Sequence, residues 1–527
     1  KSGTRLRITA QLIKADDGFH LWSETYDREM DDVFAIQDEI AAAIGDAMEA
    51  ELGLGATNAT AHAPTVIPAA NTQAYEAFLL GRQLIHQRGR ESLEDAVRHL
   101  ERSLRLDANY APAHAQLAIA TILLLESAST YGDLSMAEVT RRATPHINLA
   151  FELSPELDAA YAARGLMALH TADPDAALAD TRKALEINPS YTDALNWQQI
   201  ALARLSRYRE SDELLREMLE VDPLSVIARL NYANDFIFRD EPAKAHEVAD
   251  DLFAQSPWAS YWKHADASEF VGNVAEGIEW SLRAFGENPN DLASNWVLMW
   301  SLSRIAEPAE ARRVAAALVP FAEIYAGNSE EAVRQIVSRQ KADPENQTIL
   351  SDAANLTYFA RQFAAAHEYF EAMARIEGVD RPIGFGVVDT TRLAWLRRHA
   401  GDDGGAAKAM SIVDRELRAL IEAGFAGRWR LVSEAMIAAY NGNTNQAIDL
   451  TRQAVERGQL DPLYFTDPLF DEIRNDPQFI EIESKALQAL EVERQKALQI
   501  MCFNNPVPGA WQPLPQTCNN VREQVSL

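Results

Sequence analysis

Pro155, Pro189, Pro223 and Pro257 stand 34 residues apart in three consecutive steps, and each closes the same kind of phrase: LSP, INP, VDP and QSP. A fixed period of this length marks one supersecondary unit stacked on copies of itself. Such units bury their apolar faces on their neighbours, so a chain of 527 residues need not divide into several globular domains. Within the unit that follows Pro155, small residues stand at Gly165, Ala177 and Ala184 before Pro189 ends it. Two antiparallel helices approach closely only where a small side chain faces the partner. Proline then stops the second helix, because it lacks an N–H and clashes with the preceding turn.

With Gly165 at position 8 of its unit, Ala177 at 20, Ala184 at 27 and Pro189 at 32, the pattern resembles the tetratricopeptide repeat (TPR). The resemblance implies an all-α chain over most of its length, a right-handed α-solenoid of helix pairs. The period extends upstream through Gly81, Ala96 and Leu100, then through Ala118, Ala143 and Ala150 with an insertion around Ser127 to Glu138. Downstream, the step from Pro257 to Pro289 is 32 and that from Pro289 to Pro344 is 55, about one unit plus one helix. Ala332, Ile336 and Pro344, then Ala366, Phe370, Met373 and Gly378, then Ala447 and Ala454 restore the pattern. This gives roughly nine or ten units over residues 73–460. Helix pairs are predicted to break at Pro155, Pro189, Pro223, Pro257, Pro289 and Pro344, with strand only before residue 31. Capping helices are expected over 461–500, and a Pro/Asn-rich tail over 501–527.

Residues 1–51 read differently. The alternating stretch TRLRITAQLIKA, the turn Asp16 to Gly18 and the run FHLWSETYDR predict a β-hairpin. Asp31 or Asp32 then caps a helix whose apolar residues Val33, Phe34, Ile36, Ile40, Ile44 and Met48 recur every three or four positions. A hairpin and one helix are too small to fold alone, so this segment is expected to be the closing part of an α/β domain, joined by a linker over 52–72 to the repeats. The run from Arg5 to Ile44 closely resembles the end of the TolB amino-terminal-like domain that precedes TPR arrays in bacterial signalling proteins. The phrase DPLFDEIRNDPQFIEI over 467–482 is similar to one that closes such arrays. In that family the preceding module is a winged-helix DNA-binding region, as in CadC-like regulators, or a class III adenylate/guanylate cyclase domain.

Lys plus Arg number 49 against 78 Asp plus Glu, a formal charge of −29, which argues against a sequence-independent grip on nucleic acid. No run of eighteen or more apolar residues exists to span a membrane. Cys502 and Cys518 bracket part of the tail. A disulfide between them fits an oxidising compartment such as the bacterial periplasm, and two free thiols in a loose tail are the alternative. With the family architecture, this favours the periplasmic side of an inner-membrane protein over the cytoplasm. No Cys/His set has metal-ligand spacing, and no Walker loop, GxGxxG, GxSxG or HExxH occurs. His99, His170, His246 and His367 read as helix packing or surface residues. No catalytic constellation, metal or cofactor is therefore expected of this chain.

The function expected of a TPR array is binding. The resemblance places positions 2, 5, 9, 12 and 13 of each unit on a concave surface. Asn196 and Arg204, Asn234, Tyr261 and His264, and Trp296, Trp300 and Arg304 then form a candidate groove for a protein or peptide. Asn amides can pin an extended backbone, Arg can take a carboxylate in a forked pair, and Trp supplies apolar area. Trp296 and Trp300, four apart on one helix, read equally as core. The carboxylate-clamp variety of TPR is not matched, since its Lys positions hold Ala162, Leu230 and His264. The expected role is an interaction and sensory module of a bacterial signal-transduction protein, with self-association left open. A stand-alone assembly scaffold or chaperone-like adaptor, and the regulatory half of a nucleotide cyclase, are the alternatives.

Overall fold

The computed structural model describes residues 5–13, 20–29, 40, 43–44, 72–126, 130–378, 381–382 and 386–519. By their contacts these fall into two units, one within Lys1–Thr121, Arg142–Ala163 and Lys183–Pro189, the other within Ile122–Arg141, Arg164–Arg182 and Ser190–Leu527.

In the first unit, β1 (Arg5–Ile13) pairs antiparallel with β2 (His20–Glu29), with Arg7 opposite Asp27 and Thr9 opposite Thr25. Both pairs bond across the strands, at 2.6 Å for the ion pair and 3.0 Å for the two hydroxyls. These are the only strands among the described residues, apart from an isolated bridge between Leu125 and Leu134. Of the helix expected after Asp31, the described residues hold only Ile40, Ala43 and Ile44, which are helical, and the linker through 71 lies outside them. Helices α1 (Thr72–Gln87) and α2 (Arg90–Leu106) form the first pair. They meet at Gly81, where an added Cβ would lie 2.6 Å from the Leu100 side chain and 3.3 Å from the Ala96 carbonyl.

The chain continues through α3 (Ala111–Leu123), α4 (Met136–Leu153), α5 (Asp158–His170) and α6 (Pro174–Ile187). Next come α7 (Thr192–Arg204), α8 (Tyr208–Val221), α9 (Val226–Phe238), α10 (Pro242–Leu252), α11 (Pro257–Phe270) and α12 (Val274–Glu287). This is the helix-pair repeat of TPR type. Pro155, Pro189 and Pro223 each lie two residues beyond a helix end, at Leu153, Ile187 and Val221, where an imino acid ends the helix at no loss of a bond. Pro257 departs from the expectation: α10 has already stopped at Leu252, and Pro257 is the first residue of α11, where its fixed φ suits a helix start. At Gly165 an added Cβ would lie 3.3 Å from the carbonyl of the fully buried Ala177, which is the close approach that the small residues predict.

Between the two helices of most pairs the backbone passes through one residue of positive φ. Ala172 (φ 56), Ser206 (φ 59) and Asp240 (φ 66) repeat at the 34-residue period, and Ala306 (φ 58) follows Gly272 by the same step. In each turn the next N–H returns to a carbonyl five residues back, as from Arg207 to Leu202 and from Glu241 to Phe236, both 2.9 Å.

The 55-residue step resolves into α13 (Leu292–Arg304) with a second helix cut to one turn, α14 (Pro308–Ala311), and then α15 (Val319–Tyr325) with α16 (Ser329–Ala342). After these come α17 (Gln347–Phe359), α18 (Phe363–Glu377), α19 (Val387–His399), α20 (Asp403–Glu422), α21 (Gly427–Tyr440) and α22 (Thr444–Glu456). The short α23 (Pro462–Thr466) leads to the long α24 (Pro477–Phe503).

The expectation that each repeat packs only on its neighbours fails in the second unit. The Ala426 N–H donates to the Phe238 carbonyl at 3.2 Å, Gln347 reaches the His170 carbonyl at 2.9 Å, and Arg339 pairs with Glu126 at 2.6 Å. Glu493 on α24 accepts from the Ala275 N–H at the start of α12, at 2.9 Å. One core joins α12, α13, α21 and α24 through Ile278, Leu298, Met436 and Ala497. The tail joins that core as well. Cys502 and Cys518 are bonded through their sulfurs, and Trp511 between them is buried edge-on against Phe285.

Candidate functional site

Packing of α19 to α21 against α7 to α9 leaves a cavity of about 610 Å³ inside the second unit. The 34-residue period sets its first wall, since α7 and α9 are equivalent helices one unit apart. Arg204 ends α7, Tyr208 and Asp212 lie on the first turns of α8, and Asn234 and Asp235 lie on α9. The second wall comes from α20 and α21, with Glu416, Leu420 and Trp429. The lining is largely apolar. Ile421, Phe238 and Trp429 keep 36%, 39% and 42% of their surface exposed.

The charges within it are unevenly matched. Arg239, behind the wall, donates to Asp235 at 2.8 Å and to Asp212, and its remaining reach goes to the Ala423 carbonyl at 2.5 Å. Burial and the neighbouring Asp235 carboxylate push the Asp212 carboxyl up to about 6, with Arg239 opposing. Glu377 is also shifted upward by burial, against the pull of Arg204 and Arg381. Arg204 donates to the Leu169 carbonyl, and burial lowers its affinity for a proton. Arg430 is committed to Glu434 at 2.9 Å. Glu416 is 2% exposed and accepts hydrogen bonds from the hydroxyls of Ser206 and Tyr208. Burial and that carboxylate together raise the Tyr208 phenol well above its ordinary value. Among the described residues, no Lys, Arg or His is ion-paired with Glu416.

Of the residues expected to line a groove, the structure brings only Arg204 and Asn234 to this cavity. Asn234 accepts from Lys263, a cation with a 1% exposed side chain that also pairs with Asp266. Asn196 is buried and accepts from Asn231 at 2.8 Å. Tyr261 and His264 stack on Trp280 at 5.8 and 4.5 Å. The buried His264 ring also meets His246 at 2.7 Å, Nδ1 to Nδ1, and Asp250 at 3.2 Å, and burial lowers its proton affinity. Trp296 packs edge-on against Phe321, and the Trp300 indole donates to Tyr325 at 2.8 Å and Asp461 at 3.0 Å. Arg304 is the clearest departure. Expected to offer a fork to a ligand, it is buried, pairs with Glu269 and lies 4.0 Å over Trp300.

The polar contacts of Asn196, Arg204 and Arg304 share one cause. The Asn196–Asn231, Arg204–Leu169 and Arg304–Glu269 bonds each join residues 35 apart. At that distance equivalent positions of adjacent units face each other, so polar groups on the first helices are consumed between repeats. Tyr208, Asp212, Glu377 and Glu416 had no such signal, because the helices that assemble them are some two hundred residues apart. The arrangement supplies hydrogen bonds, apolar area and carboxylates, which is the chemistry of binding. Among the described residues no group of three or more His, Cys, Asp or Glu could hold a metal ion, and no helix is long and apolar enough to cross a membrane.

No family model matches the chain. A curated protein of Rhizobium meliloti (strain 1021), "Putative adenylate cyclase 3", is 38% identical over 119 residues, which are 23% of this chain and 20% of that protein. The chain thus spans about a fifth of the length of this relative. Among solved structures, the "Human IFIT1 dimer with PPP-AAAA" matches with a TM-score of 0.37 and 14% identity, over 73% of this chain and 95% of that one. A tetratricopeptide repeat protein from Parabacteroides merdae matches at 0.30 and 16%, over 55% and 99%. The "APC/C hetero-tetramer Cut9-Hcn1" matches at 0.35 and 12%, over 84% and 92%. Likeness of this order bears on neither ligand nor activity.

Proposed function

We propose that this chain is the protein- or peptide-binding, sensory part of a bacterial signal-transduction protein and is itself non-catalytic. The observation that carries the reading is the cavity between α7–α9 and α19–α21. It combines exposed aromatic and aliphatic side chains with Arg204, Asn234 and the hydroxyl-bonded Glu416, the mixture by which interfaces hold an extended chain. The TolB-like reading of the first residues belongs to this proposal, with β1 and β2 as the end of that domain. So does a periplasmic position, in keeping with the Cys502–Cys518 disulfide.

A second reading, the regulatory half of a nucleotide cyclase, is favoured by the name of the Rhizobium meliloti relative. On either reading the chain binds and an effector elsewhere responds. The test is capture of partners by the purified chain, repeated with Arg204→Ala and Asn234→Ala together. Loss of capture by a folded double variant supports the cavity as the binding site. Undiminished capture places the partner elsewhere and ends this assignment.

A further inference from the structure

Resting on the peptide-binding reading above, we infer that the cavity takes a basic side chain of the bound peptide, an alkylammonium or guanidinium group, with Glu416 as its counter-ion. The argument begins with an imbalance. Four carboxylates line the cavity, Asp212, Asp235, Glu377 and Glu416, against two cations, Arg204 and Arg430. Arg239 answers Asp212 and Asp235 from behind. Arg430 is paired with Glu434, and Arg204 points its guanidinium to a backbone carbonyl.

Two carboxylates are left over: Glu377, only partly buried and under the pull of Arg204 and Arg381, and Glu416, which is buried and ion-paired with no cation among the described residues. At 2% exposure Glu416 has lost its water, and its two partners, Ser206 and Tyr208, are neutral hydroxyls. Taking a carboxylate out of water is unfavourable unless a cation and hydrogen bonds replace the solvent. Here the hydrogen bonds are present and the cation is not. A guanidinium or ammonium entering the cavity completes the arrangement, and the bond it forms is charge-assisted.

The rest of the lining suits the stem of such a side chain. Phe238, Phe425 and Trp429 offer aromatic rings to a cation, and Arg239 already lies 5.5 Å from the Phe425 ring centre. Leu420 and Ile421 offer apolar area to the methylenes. An acidic ligand would meet the uncompensated Glu416 carboxylate in a low-dielectric space. The formal charge of −29 on the chain also steers cations toward it.

The experiment uses the full chain and labelled peptide pools with randomised flanks and a central Arg, norleucine or Glu, titrated at low salt. Butylammonium, read by thermal shift, is the free-amine arm. The Arg pool is expected to bind about ten-fold more tightly than the norleucine pool, the value of one charge-assisted bond, and the Glu pool most weakly. Glu416→Gln is expected to erase the difference between Arg and norleucine. Ala203→Trp, which fills the cavity and keeps Glu416, is expected to weaken all three pools, and it carries the test should Glu416→Gln not fold. Equal binding of the Arg and norleucine pools overturns the cation site while the peptide-binding reading stands. Glu416-dependent stabilisation by butylammonium with no peptide binding keeps the counter-ion role, and overturns both the peptide source and the reading beneath it. Failure of peptides and amine alike overturns both proposals.

Discussion

Glu269 and Arg304, equivalent in place on α11 and α13, form an ion pair in which the side chains are 2% and 0% exposed. Ser301 also donates to Glu269, while Nε and one terminal nitrogen of Arg304 have no partner. Arg428 adds a second buried guanidinium nearby, donating to the Glu269 and Gly458 carbonyls at 3.2 and 2.8 Å. Burial and the Arg304 charge push Arg428 down to about 9. Removing the anion that pairs directly with Arg304 therefore leaves buried positive charge answered only by more distant carboxylates such as Asp461. Glu269→Gln is expected to cost about 3–5 kcal/mol, and Glu269→Leu combined with Arg304→Met to recover most of that loss. Urea titration of the three proteins checks it, and a Glu269→Gln variant as stable as the parent refutes it.

The left-handed turn residues offer a gain in stability. Ala306 has φ 58 and is exposed. An L side chain in this region costs about 1–2 kcal/mol, against about 0.5–1 kcal/mol for the extra freedom of glycine in the unfolded chain. Ala306→Gly is expected to raise stability by about 0.5–1 kcal/mol, read as a higher urea midpoint at unchanged slope.

How far the molecule could be read from its residues follows from the range of the interactions. The turns after Leu153, Ile187 and Val221 were legible because proline acts on its own peptide unit, and the helix contact at Gly165 because a missing side chain repeats with the period. Ala172, Ser206 and Asp240 carry the same turn with no glycine to announce it. The inter-repeat bonds were legible in principle: Arg304 with Glu269 35 positions upstream is a pattern that adjacent units produce. The cavity was not. Tyr208 meets Glu416 across 208 residues, and no periodicity links two walls built from different repeats.

His170 sets an acid response. Burial, with the Arg204 charge as a lesser cause, pushes its imidazole down from 6.5 to about 4. The folded state therefore excludes a proton that the unfolded chain accepts. Above pH 6.5 the two states agree and nothing is lost. As pH falls from 6.5 to 4 the unfolded chain is increasingly favoured, and below 4 the penalty is complete. His170→Gln is expected to melt higher relative to the parent at pH 4.5 than at pH 7.5. An equal difference at both values shows that the ring titrates as it does in water.

The tail provides a test of what holds the end of α24. Two devices act on it. The disulfide closes a separation of 16 residues, for which loop entropy gives about 3 kcal/mol. Docking is the other. Trp511 is 3% exposed, its ring lies 5.3 Å from Phe285 and Arg313 sits 4.6 Å above it. The fully buried Glu310 accepts from the Leu514 N–H at 2.6 Å and from the Thr517 hydroxyl at 2.7 Å. Because docking remains when the sulfurs are separated, Cys502→Ser with Cys518→Ser is expected to cost no more than about 3 kcal/mol. Trp511→Ala empties a site between α12 and α14 and is expected to cost about 3–5 kcal/mol with the disulfide intact. The order is the decisive result. Urea midpoints in which the cysteine variant falls further than Trp511→Ala show that the tail is held by its covalent loop and that its packing on α12 contributes little.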